Sequence, residues 1–257
     1  MAGSTKSALI IGATGQTGRH LLQNLLASPH FTRVGEYGRR VTPVDDITTG
    51  KDKLEQKVVD FEKLQESGLK KEKWDVLPQV VAEAFEKIDR EYVINAAKEA
   101  RNADSSVPQR LVYLSSTGAN SSSPFLYPKL VNFAILCQEV DLPSDFCRSK
   151  GLTEEGLASI GYSDTIIFRP GFLAGTNRSD HRLAESIFGK LTGVLSYVSS
   201  SLQINVRVYL GKAMYLAGKL GSNDLPPAVA ATKEGKADAK FTVINNATAL
   251  KLAEWQK

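Results

Sequence analysis

The chain has 257 residues, of which 42% are hydrophobic and 23% are charged, and its formal net charge is +4 at pH 7. A chain of this length and apolar content can bury a full core, and we expect one domain spanning residues 1–257. The basic residues are dispersed and have no aromatic platform beside them, which argues against a nucleic-acid partner. No stretch is apolar enough to cross a bilayer, no signal peptide is visible and no cysteine spacing indicates a metal site, so we expect a soluble protein.

A glycine-rich turn between a strand and a helix is the first feature in chain order. The run 8–11 is typical of a strand buried on both faces, and the leucine spacing in 16–28 predicts an amphipathic helix. In such a turn the first glycine permits a tight bend, the second lets the backbone approach a pyrophosphate, and the third lets helix and sheet pack closely. The helix N-terminus offers unpaired N–H groups to the phosphates. A plain turn without a ligand is the alternative. We predict that this turn binds a dinucleotide through Gly12, Ala13, Thr14, Gly15, Gln16, Thr17 and Gly18.

The second predicted strand, 31–38, ends in a pair of arginines. Folds that prefer NAD carry an acidic side chain near this point that binds the adenosine ribose, whereas an arginine accommodates the ribose phosphate of NADP. Arg39 and Arg40 therefore favour NADP, and two ordinary exposed arginines are the alternative. Glu36, within the strand, is the residue that could reverse this preference.

The next two predicted strands leave questions open. Asp60 lies near the end of strand 55–61, where it can either meet the adenine amino group at the carboxyl edge of the sheet or cap the following turn. A fourth strand beside the first needs an apolar run, but the available segment, 74–81, has Pro78 in its middle, and proline cannot donate to a β-ladder. We therefore expect the fourth strand to be short, damaged or missing, with a helix over 82–102 after it.

The second half of the chain contains a hydroxyl-rich strand exit. A fifth predicted strand, 109–116, runs into Ser115, Ser116 and Thr117, and a serine-rich loop continues to Tyr127. The other predicted elements are strands at 163–171, 202–209 and 240–245, helices at 180–191, 212–220 and 248–255, a lid around 175–178 and a flexible loop at 221–239.

Together these features resemble the short-chain dehydrogenases/reductases, specifically the atypical branch that contains the Tat-interactive oxidoreductase-like proteins and the fungal "found in mitochondrial proteome" proteins. The resemblance implies an α/β fold with a doubly wound, mostly parallel Rossmann sheet and a small C-terminal extension on the substrate side. It also implies hydride transfer between a nicotinamide and a carbonyl or alcohol, and with the arginine pair described above we expect NADP (NADPH) as the cofactor. The resemblance covers nearly the whole chain and is carried by Gly-Ala-Thr-Gly-Gln-Thr-Gly (12–18), Gly-Arg-Arg (38–40), Val-Val-Asp-Phe-Glu-Lys-Leu (58–64), Asp-Arg-Glu-Tyr-Val (89–93), Leu-Ser-Ser-Thr-Gly-Ala (114–119) and Phe-Arg-Pro-Gly (168–171).

The same resemblance implies three catalytic roles. A tyrosine hydroxyl donates the proton, a lysine one helical turn away lowers the pKa of that tyrosine and holds the nicotinamide ribose, and a serine hydroxyl orients the carbonyl. These roles fall to Tyr127, Lys150 and Ser116, with Ser115 and Thr117 as alternatives for the serine, and Tyr127 and Lys150 also contact the cofactor. The family pattern Tyr-x-x-x-Lys is not met as written, because the fourth position after Tyr127 is a valine.

Removing residues 130–148 would give Tyr127 and Lys150 the required spacing on one continuous helix. This segment carries both cysteines of the chain, Cys137 and Cys147, and its junctions can encode the donor and acceptor of an intron. We therefore interpret 130–148 as an insertion translated from an unspliced intron, with genuine divergence as the alternative. A family loop after the fourth strand also has no counterpart here, which indicates a lost segment near 77–81.

Two classes of function follow from these patterns. The chain is either an NADP-dependent oxidoreductase or a catalytically impaired NAD(P)-binding regulatory or scaffold protein. As partners we expect a small-molecule carbonyl substrate or a protein, no nucleic acid and no transmembrane segment, in a monomer or homodimer. The resemblance implies the cytoplasm or the cytosolic face of the mitochondrial outer membrane, and it allows peripheral membrane association.

The interpretation of 130–148 makes a prediction about the messenger RNA. Amplification of the mature transcript across this region should yield a product without the corresponding codons, because a retained intron is absent from the spliced message. A spliced product that still contains those codons would show that the segment is a genuine part of the protein.

Overall fold

One eight-stranded sheet organises the residues that the structure, a computed structural model, describes: 5–80, 86–102, 104, 106–122, 144–171, 173–174, 204–205 and 209–255. The strands are β1 (Lys6–Ile11), β2 (Phe31–Gly38), β3 (Leu54–Val58), β4 (Val76–Gln79), β5 (Arg110–Leu114), β6 (Asp164–Arg169), β7 (Leu173–Ala174), β8 (Ile204–Asn205), β9 (Thr232–Lys236) and β10 (Ala239–Asn245). The helices are α1 (Gln16–Ala27), α2 (Glu86–Ala100), α3 (Ser144–Ala158), α4 (Gly211–Leu220) and α5 (Asn246–Glu254).

The strand order confirms the doubly wound prediction. The large sheet runs β3-β2-β1-β4-β5-β6-β10-β9, and β7 and β8 pair with each other. Neighbouring strands of the large sheet are parallel, except that β9 runs antiparallel to β10. The chain winds outward from β1 in one direction and from β4 in the other, so a crevice opens between their carboxyl ends. In open α/β sheets, ligands bind at this switch point.

Helices cover both faces of the sheet, as strands that are apolar on both sides require. α1, α4 and α5 pack on one face, and α2 and α3 pack on the other. The first core includes Leu21, Leu25, Phe31, Val112, Phe168, Met214 and Leu252. The second includes Leu9, Trp74, Leu77, Ala96, Tyr113, Leu157 and Ile167. None of the described helices combines the length and apolar character that crossing a membrane requires.

The fourth strand is short, as expected, but it is present and central. β4 is buried along its whole length between β1 and β5. Its pairing with β5 is continuous from Val76 to Gln79, whereas its pairing with β1 is recorded at Ala8–Val76 and Ile11–Gln79, on either side of Pro78. The Val80 N–H donates to the Ile11 carbonyl, so the backbone nitrogen two residues earlier, at position 78, also faces β1. Because position 78 is a proline, that nitrogen has no hydrogen to donate. The proline therefore interrupts one ladder without excluding the strand.

The expectation of a loop over 221–239 is wrong for its second half. Thr232–Lys236 form β9, an edge strand whose residues are all exposed. A strand exposed on both faces needs no alternation of apolar and polar residues, so its sequence reads as a loop. The predicted helix 180–191 and the predicted lid 175–178 lie outside the described residues. So does most of the interpreted insertion, of which 144–148 form the beginning of α3.

Asp75 fastens the beginning of β1 to the segment that leads into β4. Its carboxylate accepts hydrogen bonds from the Ser7 backbone N–H and hydroxyl, both at 2.8 Å, and from the Lys6 ammonium at 3.0 Å. Burial alone would raise the pKa of Asp75, but the bonds from Ser7 and the charge of Lys6 outweigh it, and the pKa is lowered. The ionised carboxylate therefore holds together the two strands that flank the crevice.

The substitution Asp75→Asn should lower the free energy of unfolding at pH 7 by about 1–3 kcal/mol, because it weakens hydrogen bonds to a charged acceptor. The pKa of Asp75 is lower in the folded protein than in the unfolded chain, where it is about 3.9. The stabilisation is therefore complete at pH values above the unfolded-state pKa and is lost as the pH falls through the folded-state pKa. Denaturant unfolding at pH 7 and at pH 3 measures the difference. Asp52→Asn, at an exposed aspartate, is the control; equal losses for both variants would contradict the role of Asp75.

Candidate functional site

The glycine turn after β1 has a backbone that other residues could not adopt without strain. Gly12 has a φ of 90°, and its carbonyl accepts the Gly15 N–H at 3.1 Å. A Cβ atom at Gly18 would lie 2.0 Å from the Gly12 carbonyl oxygen and 2.8 Å from the Ala13 Cα, so α1 closes directly onto the turn. The sequence-based roles of the first and third glycines thus have a geometric basis here.

The first turn of α1 is open to an anion. Gly15 is the N-cap residue, no side chain caps the helix, and no acidic residue lies in its first turn. The backbone N–H groups there therefore keep their capacity for a negatively charged group, which the helix dipole also favours. Of the other predicted residues, Ala13 and Thr17 are buried, Thr14 is exposed and Gln16 is half-buried.

Near the carboxyl end of β2, one acidic side chain, Glu36, is buried, and two basic side chains, Arg39 and Arg40, are exposed. Glu36 is buried, and its carboxylate accepts the Thr42 N–H at 2.8 Å, the Thr42 hydroxyl at 2.7 Å and the Gln56 amide at 2.8 Å. Arg39 and Arg40 are both exposed, and neither has a hydrogen bond or ion pair within the described part of the chain. The acid is engaged by its own protein, whereas the two guanidinium groups are available.

Asp60, for which two roles were open, caps its turn. The side chain is exposed, and Oδ1 accepts the Glu62 backbone N–H at 2.9 Å. The neighbouring Phe61 stacks on Tyr92 of α2, with ring centroids 5.6 Å apart. This stacking joins the turn after β3 to α2.

The hydroxyl groups after β5 differ in what they already bind. Thr117 is exposed, and its hydroxyl donates to the Pro170 carbonyl at 2.8 Å. The hydroxyl oxygens of Ser115 and Ser116 are buried and have no hydrogen-bond partner among the described residues. Buried hydroxyl groups ordinarily have a hydrogen-bond partner, so a bound ligand could supply the partner of Ser115 or Ser116. Thr117 is the weakest of the three candidates because its hydroxyl is already bonded to a backbone carbonyl.

Lys150 lies on α3, and its side chain points into the protein. It is 5% exposed, and its Nζ lies 3.4 Å from the Tyr113 hydroxyl of β5. Tyr127, its predicted partner, lies outside the described residues, so the distance between the two remains a prediction. The structure thus brings Lys150 to the same strand whose end carries Ser115 and Ser116.

Two contacts hold α3 against the loop after β5. A Cβ atom at Gly151 would lie 2.2 Å from the Ser121 backbone nitrogen and 2.4 Å from the Asn120 carbonyl carbon, so the helix and loop backbones touch. The Ser121 hydroxyl donates to Glu155, one turn further along α3, and this bond lowers the pKa of the Glu155 carboxyl. The residue directly after Lys150 is therefore fixed against the loop that follows the hydroxyl-rich exit.

An ion pair holds α3 to the next strand. Arg169, at the end of β6, donates to both oxygens of the buried Glu154 at 3.0 and 2.6 Å, and to Glu234 of β9 at 2.9 Å. The hydrogen bond to Glu154 raises the pKa of Arg169, so the guanidinium stays charged. A bidentate pair with little exposure fixes the position of α3 more firmly than a surface pair would.

Three residues of this region escaped the sequence reasoning: Gln79, Tyr113 and Gly151. Gln79, at the end of β4, is fully buried, and neither polar atom of its amide has a hydrogen-bond partner in the described part of the chain. The sequence did offer a signal for Gln79, because a polar residue there follows the apolar run of the fourth strand. Tyr113 and Gly151 gave none, because their roles depend on how β5 and α3 meet.

A cleft of about 650 Å³ lies elsewhere, between α1 and the segment 42–49. It shares Thr14 with the glycine turn, and the rest of its lining is divided between α1 and the segment 42–49. It does not include the buried hydroxyls or Lys150, so it is not the crevice described above. Among the described residues, no group of histidine, cysteine, aspartate and glutamate side chains is arranged to hold a metal ion.

No family model matches the chain. It is 31% identical over 235 residues to "Protein fmp52, mitochondrial" from Emericella nidulans, with 85% of this chain and 90% of that protein covered. It is 30% identical over 198 residues to "Protein HTATIP2" from Rattus norvegicus, with 72% of each covered. Among solved structures, the oxidoreductase ylbE from Lactococcus lactis has a TM-score of 0.47 at 17% identity, covering 67% of this chain and 72% of its own. The enzyme WbmG from Bordetella bronchiseptica, solved in complex with NAD, has a TM-score of 0.47 at 18% identity, covering 68% and 56%.

Two glycines of α3 provide a matched test of the contact between this helix and the loop after β5. Replacing a helical glycine with alanine stabilises by about 0.5–1 kcal/mol when there is room. At Gly156 the added Cβ meets the flexible end of Ile94, but at Gly151 it meets backbone. Gly156→Ala should be neutral or stabilising, and Gly151→Ala should destabilise by about 1–3 kcal/mol because the backbones must separate. Urea unfolding measures both, and equal stabilities would contradict the close approach.

Proposed function

The chain belongs to the family of the fungal Fmp52 proteins and HTATIP2, an atypical branch of the short-chain dehydrogenases/reductases, and we propose that it is an NADP-dependent oxidoreductase. Its substrate is a carbonyl compound or the corresponding alcohol. The observation that carries this proposal is the close backbone approach of Gly18 to Gly12, which sets the uncapped N-terminus of α1 against the turn at the carboxyl end of β1. That arrangement suits the diphosphate of a dinucleotide.

The choice of NADP over NAD rests on the end of β2. An NAD-specific site needs a carboxylate that can accept hydrogen bonds from the ribose, and Glu36 already accepts three bonds from Thr42 and Gln56. Arg39 and Arg40 are exposed and can pair with a ribose phosphate. Asp60 is engaged in its turn through one oxygen, and its other oxygen can still accept a bond from the adenine amino group.

The proposed chemistry assigns one task to each side chain at the carboxyl edge. The bound nicotinamide would supply or accept the hydride. The Ser116 hydroxyl, or that of Ser115, donates a hydrogen bond to the substrate carbonyl and orients it. Tyr127 gives its phenolic proton to the developing alkoxide, and the ammonium of Lys150 stabilises the phenolate that remains, which lowers the pKa of the tyrosine from its usual value of about 10.

A second candidate function is a nucleotide-binding regulator without turnover. It is favoured by the separation of Tyr127 and Lys150 in the sequence, which departs from the Tyr-x-x-x-Lys pattern, and by the missing family loop after the fourth strand. Both functions require the cofactor, and they differ in whether a proton donor reaches the substrate.

The location is proposed from the relatives. Those named Fmp52 from Emericella nidulans and Candida albicans carry the word mitochondrial in their names. We propose that this chain also acts at mitochondria, on the cytosolic face of the outer membrane.

A cofactor titration tests the proposed function. The unaltered protein should bind NADPH more tightly than NADH, and the double substitution Arg39→Ala with Arg40→Ala should weaken NADPH by about tenfold or more, the worth of one or two charge-assisted bonds. NADH affinity should change by less than about twofold, because it lacks the ribose phosphate. Calorimetry or quenching of protein fluorescence measures both.

Lys70→Ala with Lys71→Ala is the matched control, since it removes two adjacent exposed cations away from the end of β2. An equal loss of NADPH affinity in this control would mean that general charge, not a ribose-phosphate site, was removed. Reduction of a panel of aldehydes and ketones by NADPH then separates the two functions. Binding with turnover supports the oxidoreductase, binding without turnover selects the regulator, and no binding removes both.

A further inference from the structure

Tyr113 and Lys150 form a buried polar contact that the proposed chemistry does not use. The tyrosine is 1% exposed and the lysine 5%, and the ammonium donates to the phenol oxygen over 3.4 Å. The same ammonium lies 5.8 Å from the centre of the tyrosine ring. The two residues come from different elements, β5 and α3, so the contact depends on how the helix sits on the sheet.

The position of Tyr113 follows from strand alternation. Leu111 and Tyr113 face the core under α2 and α3, while Val112 and Leu114 face the opposite core. A phenol hydroxyl in an apolar core needs a partner, and so does a buried ammonium. The hydrogen bond between Lys150 and Tyr113 gives each of these buried polar groups one partner.

The neighbourhood of Tyr113 is itself polar on the side of the crevice. In the sheet it is directly paired with Gln79 of β4, whose buried amide lacks a partner among the described residues, and two positions later the chain reaches Ser115. The polar side chains therefore gather at the carboxyl ends of the two central strands. Deeper in the sheet, the corresponding positions Leu77 and Leu111 are apolar.

We propose that Tyr113 is a positioning residue for Lys150: its hydroxyl accepts a hydrogen bond from the ammonium and directs that charge toward the cofactor crevice. This inference rests on the proposed function for its catalytic meaning. The contact itself is a property of the folded chain. It fixes the direction of one of the three N–H donors of Lys150.

The test compares Tyr113→Phe with Tyr162→Phe. Tyr162 is also a buried tyrosine of the same core, but its hydroxyl donates to the Ala97 carbonyl at 2.7 Å, so the control removes an equivalent group away from Lys150. The rate at which a small amine-reactive reagent labels Lys150 is measured between pH 7 and 9 by mass spectrometry of the full-length protein. Only the neutral amine reacts, so the rate reports the pKa of Lys150.

Tyr113→Phe should raise the labelling rate of Lys150 at a given pH by about tenfold, because the charged form has lost an acceptor, and should weaken NADPH binding by a similar factor. Tyr162→Phe should leave both within about twofold of the unaltered protein. Coincident labelling profiles for the two variants would overturn the proposal. If the labelling differs but the unaltered protein binds no NADPH, the positioning role stands and the proposed function fails.

A second measurement does not depend on the stability of Tyr113→Phe. In protein labelled with carbon-13 at the tyrosine ring carbon that bears the hydroxyl, Lys150→Met should move the NMR signal of Tyr113 and leave that of Tyr162 in place. An unmoved Tyr113 signal would show that the ammonium and the phenol do not interact in solution.

Discussion

The contact between the backbone of α1 and the carbonyl of Gly12 is the constraint on which the arrangement of the crevice depends. Since a Cβ at Gly18 would meet that carbonyl at 2.0 Å, the helix can begin only where it does, directly above the end of β1. The positive end of the helix dipole thereby lies at the carboxyl end of β1. Asp75 fixes the same two strands from the opposite end through Ser7 and Lys6.

The position of α3 is set by contacts that are independent of one another. Gly151 touches the loop after β5, Glu155 accepts a bond from Ser121 in that loop, and Glu154 pairs with Arg169 at the end of β6. These contacts hold the part of α3 that carries Lys150 against the loop after β5 and the end of β6. The lysine and the serines, to which the proposed chemistry gives roles, are thus carried by elements that are fixed to one another.

Most of the fold could be predicted because its signals are local. The glycine turn, the apolar runs of β1, β2 and β5 and the leucine spacing of α1 each identify an element without knowledge of its neighbours. β4 was harder because Pro78 argues against a central strand, and only the pairing shows that the loss is confined to one side. The two roles of Asp60 and the three candidate hydroxyls could not be separated by sequence, since each choice depends on which backbone group lies within reach. The partner of Lys150 in the described structure, Tyr113, required the register between a helix and a strand.

The two edge strands of the sheet, β3 and β9, carry several exposed charged side chains. β9 exposes Lys233, Glu234 and Lys236 along its whole length, and β3 at the far side exposes Glu55 and Lys57. The free backbone N–H and C=O groups of an edge strand can otherwise form hydrogen bonds with strands of other molecules. Burying these side chains against a second chain would strip their hydration, so neighbouring copies are discouraged from extending the sheet. The apolar interior strands are thereby kept from seeding fibrous aggregates.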